Sequence, residues 1–200
     1  MFGLLCLFKE RGDEINLIVA TDGSLGSSSP TLTLKKIRAN ETKDALRDLS
    51  IPKLLKIKDG QLGNDFLHQK KIHYEINRIN PDLIITHSHN DYHPDHRSLS
   101  KIVKSIAGIH YPVLFADNFV GIDFKPNYYI DITKFFLKKK LAIQSHASQF
   151  PDKYIELVEI WNRFRSIQCN GLKNTYAEAY RFEPSFPFSD IRDLLPKSPK

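Results

Sequence analysis

Short apolar runs alternate with amphipathic stretches along the whole chain. Runs of apolar, often β-branched residues are typical of buried strands, and they occur at 14–20, 53–57, 83–86, 113–116, 128–130 and 175–182. Apolar residues at helical spacing predict helices at 2–11, 34–49, 65–79, 97–107, 133–145 and 152–168. Strands and helices therefore alternate from one end of the chain to the other.

This alternation predicts the fold class. Short strands separated by helices of about 10–15 residues form βαβ units, so we expect a Rossmann-like α/β fold with a mainly parallel sheet and helices on both faces. A chain of 200 residues fits one domain, residues 1–200. The Pro- and Ser-rich stretch 184–200 is expected to be a loose tail. Ligands of such folds bind beyond the carboxyl ends of the strands, where polar loops follow Ala20 and Thr86.

Composition and charge exclude several classes of function. The chain is 41% hydrophobic and 26% charged, with a net charge of +6. Its positive residues are dispersed except at 138–140, so nucleic acid is not an expected partner. No apolar run reaches the roughly 18 residues that span a bilayer. Cys6 and Cys169 form no disulfide or metal motif, which favours a reducing compartment, the cytoplasm. The sequence does not specify an oligomeric state.

The residues most able to bind a metal or to act as acids and bases lie in the segment 87–96, directly after a predicted buried strand. The segment contains four histidines and two aspartates, at positions 87, 89, 93 and 96 and positions 91 and 95. Imidazole and carboxylate groups are natural zinc ligands and common general acids and bases. A polar loop whose histidines only bond their neighbours is the alternative, but four histidines at the ligand edge of the sheet favour a site.

The first half of this segment resembles one metal motif. Thr86-His87-Ser88-His89-Asn90-Asp91 is similar to the Thr-His-x-His-x-Asp-His motif of metallo-β-lactamase-like hydrolases. Tyr92 stands where that motif has its last histidine. The resemblance implies a two-metal hydrolase with a β-rich sandwich, whereas the chain alternates strands and helices.

The second half resembles a different motif, and this resemblance extends over nearly the whole chain. Asp91-x-His93-Pro94-Asp95-His96 is similar to the Asp-x-His-Pro-Asp-His motif of PIG-L/LmbE-like deacetylases. Further fragments match that family in the same order: Thr21-Asp22-Gly23, Arg38-x-x-Glu41, Asp59-Gly60-x-Leu62, Pro81-Asp82, His146-x-Ser148-Gln149 and Tyr176-Ala177-Glu178. Each fragment is weak alone, but together they are fairly specific.

The resemblance implies a zinc-dependent hydrolase that removes the acetyl group from N-acetylglucosamine-type sugars or sugar conjugates. His96 would be a zinc ligand. His93 would stabilise the tetrahedral oxyanion and protonate the leaving amine. Asp95 would hydrogen-bond a histidine and hold its orientation. Arg38 and Asp59 would bind the substrate, a small acetylated amino sugar.

One hallmark of that family is absent from the sequence. Its His-Pro-Asp-Asp-Glu motif, which follows the first strand and supplies two zinc ligands and the general base, has no counterpart here. His96 alone is too few ligands for a catalytic zinc. We therefore expect an N-terminally truncated domain, inactive as it stands and marginally stable because sheet edges are exposed. Zinc is expected for the complete domain. The alternative is a non-catalytic binding protein with the same fold.

Overall fold

The computed structural model describes residues 1–25, 31–63, 65–118 and 123–197, and the side chains of 31 and 32 are not among them. Its helices are α1 Phe2–Arg11, α2 Thr31–Leu46, α3 Phe66–Ile79, α4 Pro94–Ala107, α5 Phe136–Gln144 and α6 Pro151–Gln168. Its strands are β1 Ile18–Thr21, β2 Lys53–Ile57, β3 Ile84–His87, β4 Val113–Ala116, β5 Tyr128–Asp131 and β6 Ala177–Phe182. Every predicted helix and strand has a counterpart, with bounds that differ by a few residues.

Short polar signals fix the ends of the helices. Helix α1 ends at Gly12, whose φ of 95° is a left-handed conformation that glycine adopts without strain. Helix α3 begins after Asp65, whose carboxylate accepts a hydrogen bond from the Leu67 N–H at 2.8 Å. Helix α4 begins after His93, with Pro94 in its first turn. The position of α4 determines the geometry of the candidate site, because the first turn of this helix carries residues of that site.

The strands form two groups. Strands β1 and β2 pair in parallel, and a four-stranded sheet has the order β3-β4-β6-β5. The α/β class is confirmed. Pairing is parallel between β3 and β4 but antiparallel where β6 meets β4 and β5. Two helices, α5 and α6, connect β5 to β6, so the chain returns to the edge where β5 ended and β6 runs in the opposite direction.

A gap separates the two groups of strands. Among the described residues, β1 pairs only with β2 and β3 only with β4. A cavity of about 550 Å³ lies between β1 and β3 and is lined by both strands and by the helices above and below them. We call this cavity the strand groove.

Two hydrophobic clusters cover opposite faces of the strands. One contains residues of α1, β4 and β6, including Leu4, Leu114 and Tyr180, each fully buried. The other contains residues of β1, β2, α3 and α4, including Leu55 and Ile72. Helices therefore lie on both faces, as predicted.

Part of the segment 184–200, which its composition predicts to be a loose tail, packs against the rest of the chain. Ile191 and Leu195 are 1% and 6% exposed and belong to the cluster around α1. The Arg11 guanidinium also donates a hydrogen bond to the Leu194 carbonyl at 2.8 Å. A composition rich in Pro and Ser gave no indication of these two buried apolar residues. Residues 198–200 lie outside the described part.

The close packing of α1 allows a first prediction. A Cβ atom at Gly3 would lie 2.5 Å from Ile132 Cγ2, a side chain with no exposed surface. Gly3→Ala should therefore lower the free energy of unfolding by about 1–3 kcal/mol through overpacking, although alanine normally favours a helix. Urea unfolding measures the change. The double variant Gly3→Ala/Ile132→Ala should lose less than the sum of the single losses, and strict additivity would contradict the predicted clash.

Candidate metal centre and cavity

The candidate site lies where β3 ends and α4 begins. A network of hydrogen bonds orders the intervening loop. The Asp91 carboxylate accepts from the His93 N–H at 2.9 Å. The Arg97 guanidinium donates to the carbonyls of Asp91 and Tyr92 at 2.7 and 2.8 Å. These bonds fix the backbone between His87 at the end of the strand and His96 in the first turn of the helix.

His87, Asp91 and His96 converge in this loop. One potential ligand atom from each lies within 4.8 Å of the others. The rings of His87 and His96 stack with centroids 3.8 Å apart. The Asp91 Oδ1 atom lies 3.1 Å from His96 Nδ1, an electrostatic contact without the alignment of a good hydrogen bond. We call these three residues the His-Asp-His cluster.

The electrostatics of the cluster favour metal-binding protonation states. Burial and the nearby His96 lower the pKa of His87 to about 3. Burial alone would raise the pKa of Asp91, but contacts with His96 and the His93 N–H outweigh it and lower that pKa. A neutral imidazole and an ionised carboxylate are the forms that bind metals.

The donor set fits zinc. Two imidazoles and one carboxylate form one of the three-ligand sets that catalytic zinc takes. The sequence pointed to His96 as the only ligand, and the structure brings His87 and Asp91 to it. The spacing of Asp91 and His96 in the motif could have indicated the pair, but nothing in the sequence placed the His87 ring against His96.

A cavity of about 270 Å³ opens beside the cluster. We call it the site cavity. Its walls come from β3, β4, α5, α6 and β6, and its lining includes Tyr92, Asp117, Asn118, Lys139, Trp161 and Glu178 as well as the cluster. The sequence gave no signal for these wall residues, because they come from elements far apart along the chain. Trp161 of α6 forms part of this wall.

A second polar network forms one wall of the site cavity. The Asp117 Oδ2 atom accepts from Trp161 Nε1 at 2.8 Å and from Arg165 Nε at 2.6 Å. Burial raises the pKa of Asp117 in spite of these two partners. The network holds the indole of Trp161 in one orientation at the cavity wall.

His93 lies beside the cluster but does not line the site cavity. Its ring centroid is 4.6 Å from that of His96. The Asp95 backbone N–H donates to His93 Nδ1 at 3.2 Å. Because Nδ1 accepts, the neutral ring carries its proton on Nε2, which remains able to donate.

Asp95 makes contacts other than those the resemblance implied. Its carboxylate is buried and accepts from the backbone N–H groups of Gly60 and Leu62, at 2.7 and 3.4 Å. The carboxylate that contacts the His96 side chain belongs to Asp91. The side chain of Asp95 points from the first turn of α4 to the loop after β2, so it connects that loop to the site. A catalytic role for Asp95 stays a prediction.

Arg38 and Asp59, the predicted substrate-binding residues, lie near the loops after β1 and β2. Arg38 Nη1 donates to the Gly23 carbonyl at 2.5 Å. The Asp59 carboxylate accepts from the Leu25 N–H at 3.3 Å. Neither residue lines the site cavity, although Gly60, next to Asp59, contacts Asp95. Substrate binding by the pair stays a prediction.

The remaining histidines of interest lie outside the cluster. His89 lies 3.6 Å from the Glu183 carboxylate and packs edge-on against Phe115. His146 contacts Gln149 at 3.4 Å, and burial lowers its pKa. The motif His146-x-Ser148-Gln149 is held to helix α2, because the Ser148 N–H and hydroxyl both donate to the Glu41 carboxylate at 2.7 Å.

The fold and the site together define a class of protein. It is an α/β protein with a His/Asp cluster at the carboxyl end of a parallel strand, the edge where ligands bind in such folds. The family model described as "PIG-L: GlcNAc-PI de-N-acetylase" matches residues 1–107. The chain belongs to the PIG-L family. The observed fold and this match remove the basis for the metallo-β-lactamase-like interpretation.

Individual relatives agree with the family. Diacetylchitobiose deacetylase of Thermococcus kodakarensis is 25% identical over 217 aligned positions, which cover 94% of this chain and 81% of the relative. The structure of N,N′-diacetylchitobiose deacetylase from Pyrococcus horikoshii has a TM-score of 0.75 at 22% identity, covering 98% and 83% of the two chains. The 4-carboxy-2-hydroxymuconate hydratase GalB from Pseudomonas putida KT2440 has a TM-score of 0.77 at 20% identity, covering 92% and 90%. The structural similarities establish the fold.

No helix in the described part of the chain is long and apolar enough to cross a membrane.

Proposed function

We propose that the chain is the scaffold of a zinc-dependent deacetylase that acts on N-acetylglucosamine-type sugars. The observation that carries this proposal is the His-Asp-His cluster at the end of β3, in a chain of the PIG-L family. Two relatives named for diacetylchitobiose deacetylation support the substrate class. We place the activity in the cytoplasm, in keeping with the free Cys6 and Cys169.

His87, Asp91 and His96 would hold the zinc ion. The chemistry that a bound zinc ion would supply there is polarisation of an amide carbonyl and a lower pKa for water, toward about 7. Arg97 and Ser88 fix the loop that presents the three ligands. The contact between Asp91 and His96 restricts the imidazole to one orientation, which preorganises the site.

His93 would stabilise the oxyanion during amide hydrolysis and act as an acid toward the leaving amine. With a neutral ring, its Nε2–H can donate a hydrogen bond to the oxyanion that forms when water attacks the carbonyl, and the Asp95 N–H holds the tautomer that this first role requires. The second role requires the imidazolium form, which would give one proton to the departing amine and become neutral. Asp95 itself fixes the start of α4 against the loop after β2, and so positions both His93 and His96.

The site cavity would bind the acetylated sugar. The indole of Trp161 and the amide of Asn118 both line this cavity and could contact the substrate. Arg38 and Asp59 would bind parts of a larger substrate that extend beyond the site cavity.

No carboxylate among the described residues that line this cavity is free to act as the general base. Asp91 contacts His96, Asp117 is held by Trp161 and Arg165, and Glu178 is paired with Lys139. The 200-residue chain is therefore expected to bind zinc without releasing acetate. We propose that catalysis requires a general base in addition to these residues. To test this, we define the extended protein as residues 1–200 with the first strand and His-Pro-Asp-Asp-Glu motif of a PIG-L relative joined ahead of Met1. The same observation supports the alternative of a non-catalytic binding protein.

Titration of the metal-free 200-residue chain with zinc tests the proposed site. We expect one zinc per chain. Two zinc ions per chain would contradict a three-ligand centre and favour a binuclear site that includes His89. No binding would refute the metal centre and favour the non-catalytic binding protein.

The role of His93 gives a prediction for catalysis. In the extended protein, His93→Gln should reduce kcat on N,N′-diacetylchitobiose by on the order of 10²–10³, as is typical when an oxyanion donor is lost, with little change in KM. Steady-state kinetics measure both constants. His89→Gln is the matched control, because His89 lies in the same segment but outside the cluster, and its kcat should be close to that of the unchanged protein. A raised KM with an unchanged kcat would show that His93 only binds substrate.

A further inference from the structure

Trp161 presents an apolar surface to the site cavity. Its indole is partly exposed and forms part of the cavity wall. The one polar atom of the indole is already bonded, because Nε1 donates to the Asp117 carboxylate at 2.8 Å. A buried tryptophan usually satisfies its N–H in this way and keeps its ring for apolar contacts. The part of the indole that remains for a ligand is therefore the ring surface.

Two side chains cover one side of this ring. The Arg165 guanidinium carbon lies 4.8 Å from the centre of the indole ring and 5.5 Å from the centre of the Phe164 ring. The centres of the two rings are 5.2 Å apart. On opposite faces of the indole, Arg165 and Phe164 would be separated by nearly the sum of their distances from it, so they lie on the same side. Neither residue lines the site cavity, and the uncovered face of the indole is therefore the one that the cavity meets.

A buried ion pair fixes the indole in this orientation. The side chains of Arg165 and Asp117 are 4% and 9% exposed. Arg165 Nε donates at 2.6 Å to Asp117 Oδ2, the same oxygen that accepts from Trp161. Asp117 Oδ1 is buried and has no hydrogen-bond partner. A buried ion pair is often no more stabilising than apolar residues of similar volume, and an unsatisfied buried oxygen costs further stability.

This arrangement indicates a binding role for the ring. A functional surface has to be held in one orientation by the residues behind it, and the pair of Asp117 and Arg165 does this for Trp161 at a cost in stability. The orientation concerns a surface beside the candidate metal site, because the His-Asp-His cluster lines the same cavity.

The rest of the cavity indicates the chemistry of the ligand. Small apolar side chains lie near the indole, those of Ala116, Val158 and Ala179, and the Asn118 amide also lines the cavity. A pyranose with equatorial hydroxyls matches this combination, because its axial C–H bonds form a flat apolar face and its hydroxyls project from the rim. The cavity volume of about 270 Å³ is just below the usual range for ligand cavities, about 300–1,000 Å³, which suits a single sugar ring.

We propose that one pyranose ring of the substrate stacks on the uncovered face of Trp161, and that Asp117 and Arg165 are positioning residues that hold the indole for it. This proposal deepens the proposed function and rests on it for the class of substrate, an acetylated amino sugar. The stacked ring and the His-Asp-His cluster share one cavity.

Fluorescence tests the stacking directly, because Trp161 is the only tryptophan of the 200-residue chain. The chain is titrated with N-acetylglucosamine in the presence of EDTA, so that binding is measured without metal and without catalysis. We expect the emission maximum to move to shorter wavelength, since a stacked ring removes water from the exposed indole face. The matched control ligand is the open-chain alditol of N-acetylglucosamine, which keeps the acetamide and hydroxyl groups but has no ring, and it should leave the emission unchanged.

Two variants separate stacking from the loss of the hydrogen bond. Trp161→Phe and Trp161→Leu both lack the Nε1 donor, and only the phenylalanine keeps an aromatic face. Isothermal titration calorimetry should show that Trp161→Phe binds N-acetylglucosamine about 2–10 times more tightly than Trp161→Leu, which is the size of effect that aromatic stacking has.

Arg165→Lys tests the positioning role. Lysine keeps the positive charge beside Asp117 but lacks the planar group that covers the indole. We expect stronger acrylamide quenching of Trp161 in the sugar-free variant and weaker sugar binding, with an unchanged circular dichroism spectrum. Unchanged quenching would overturn the positioning role of Arg165.

Three results would overturn the stacking proposal: equal sugar affinities of Trp161→Phe and Trp161→Leu, sugar binding that leaves the emission of Trp161 unchanged, and no sugar binding at all. Failure of the proposed deacetylase is a separate result. Sugar binding on Trp161, combined with an extended protein that releases no acetate, would support the stacking surface and refute the deacetylase activity.

Discussion

Replacing Glu178 with glutamine should lower the free energy of unfolding by about 3–5 kcal/mol, because the substitution leaves the buried Lys139 without its counter-charge. Glu178 is 2% exposed and lies 2.7 Å from Lys139 Nζ. It also accepts hydrogen bonds from the Gly3 and Leu4 N–H groups at 3.0 Å each. A loss of this size is a large part of the total stability of a typical domain, about 5–15 kcal/mol.

Urea unfolding followed by circular dichroism measures this loss. Glu159→Gln is the matched control, since Glu159 pairs with Lys140 at 2.9 Å but is 45% exposed. Exposed pairs contribute under about 1 kcal/mol. A loss for Glu178→Gln no larger than that of the control would show that Glu178 does not hold α1, α5 and β6 together.

The same residue sets a pH dependence. Burial alone would raise the pKa of Glu178, but the Lys139 charge and the hydrogen bonds outweigh it and hold that pKa well below its usual range. A carboxyl group whose pKa is lower in the folded state stabilises the fold above its unfolded pKa, about 4.5, and this stabilisation is lost as the pH falls below that value. Stability measured from pH 6 to 3 should therefore fall less steeply for Glu178→Gln than for the unchanged chain. Parallel slopes would contradict the assigned shift.

Replacing His96 with alanine should have the largest effect on metal binding. His96 contacts both other members of the cluster, through the stacked His87 ring and the Asp91 carboxylate. Loss of a residue that only supports a ligand costs about 10–100-fold in metal affinity, so the loss of a ligand should cost at least about 100-fold. Zinc titration of the 200-residue chain gives the affinity directly.

His89→Ala is the control for this experiment. It removes an imidazole from the same segment, but His89 contacts Glu183 and Phe115 rather than the cluster. Its zinc affinity should stay within a few-fold of that of the unchanged chain. If His89→Ala weakened zinc binding as much as His96→Ala, the metal would not be held by the three residues assigned here.

Local patterns in the sequence were sufficient to find the secondary structure. The bounds of β2 and β4 match their apolar runs, and α3 begins after Asp65 and ends at Asn80, as the polar residues at its ends indicate. The antiparallel direction of β6 was not accessible, because it depends on how two helices pack between β5 and β6. Burial of Ile191 and Leu195 was missed for a similar reason, since it depends on a surface that α1 provides.

In the site too, the sequence revealed residues that are close together along the chain but not those that folding brings together from distant elements. The motif at residues 91–96 pointed to His93, Asp95 and His96, because its residues are close together in sequence. It could not show that Asp95 bonds the loop after β2 while Asp91 contacts His96. The walls of the site cavity, such as Asp117 and Trp161, depend on the packing of α6 against the sheet and carry no motif of their own.

Acetate release from N,N′-diacetylchitobiose by the zinc-loaded extended protein tests the proposed deacetylase most directly. We predict one acetate for each free amine formed, loss of the reaction with EDTA, its recovery with zinc, and no release by the 200-residue chain. An extended protein that binds one zinc ion and releases no acetate from N-acetylglucosamine or its disaccharide would contradict the proposed function.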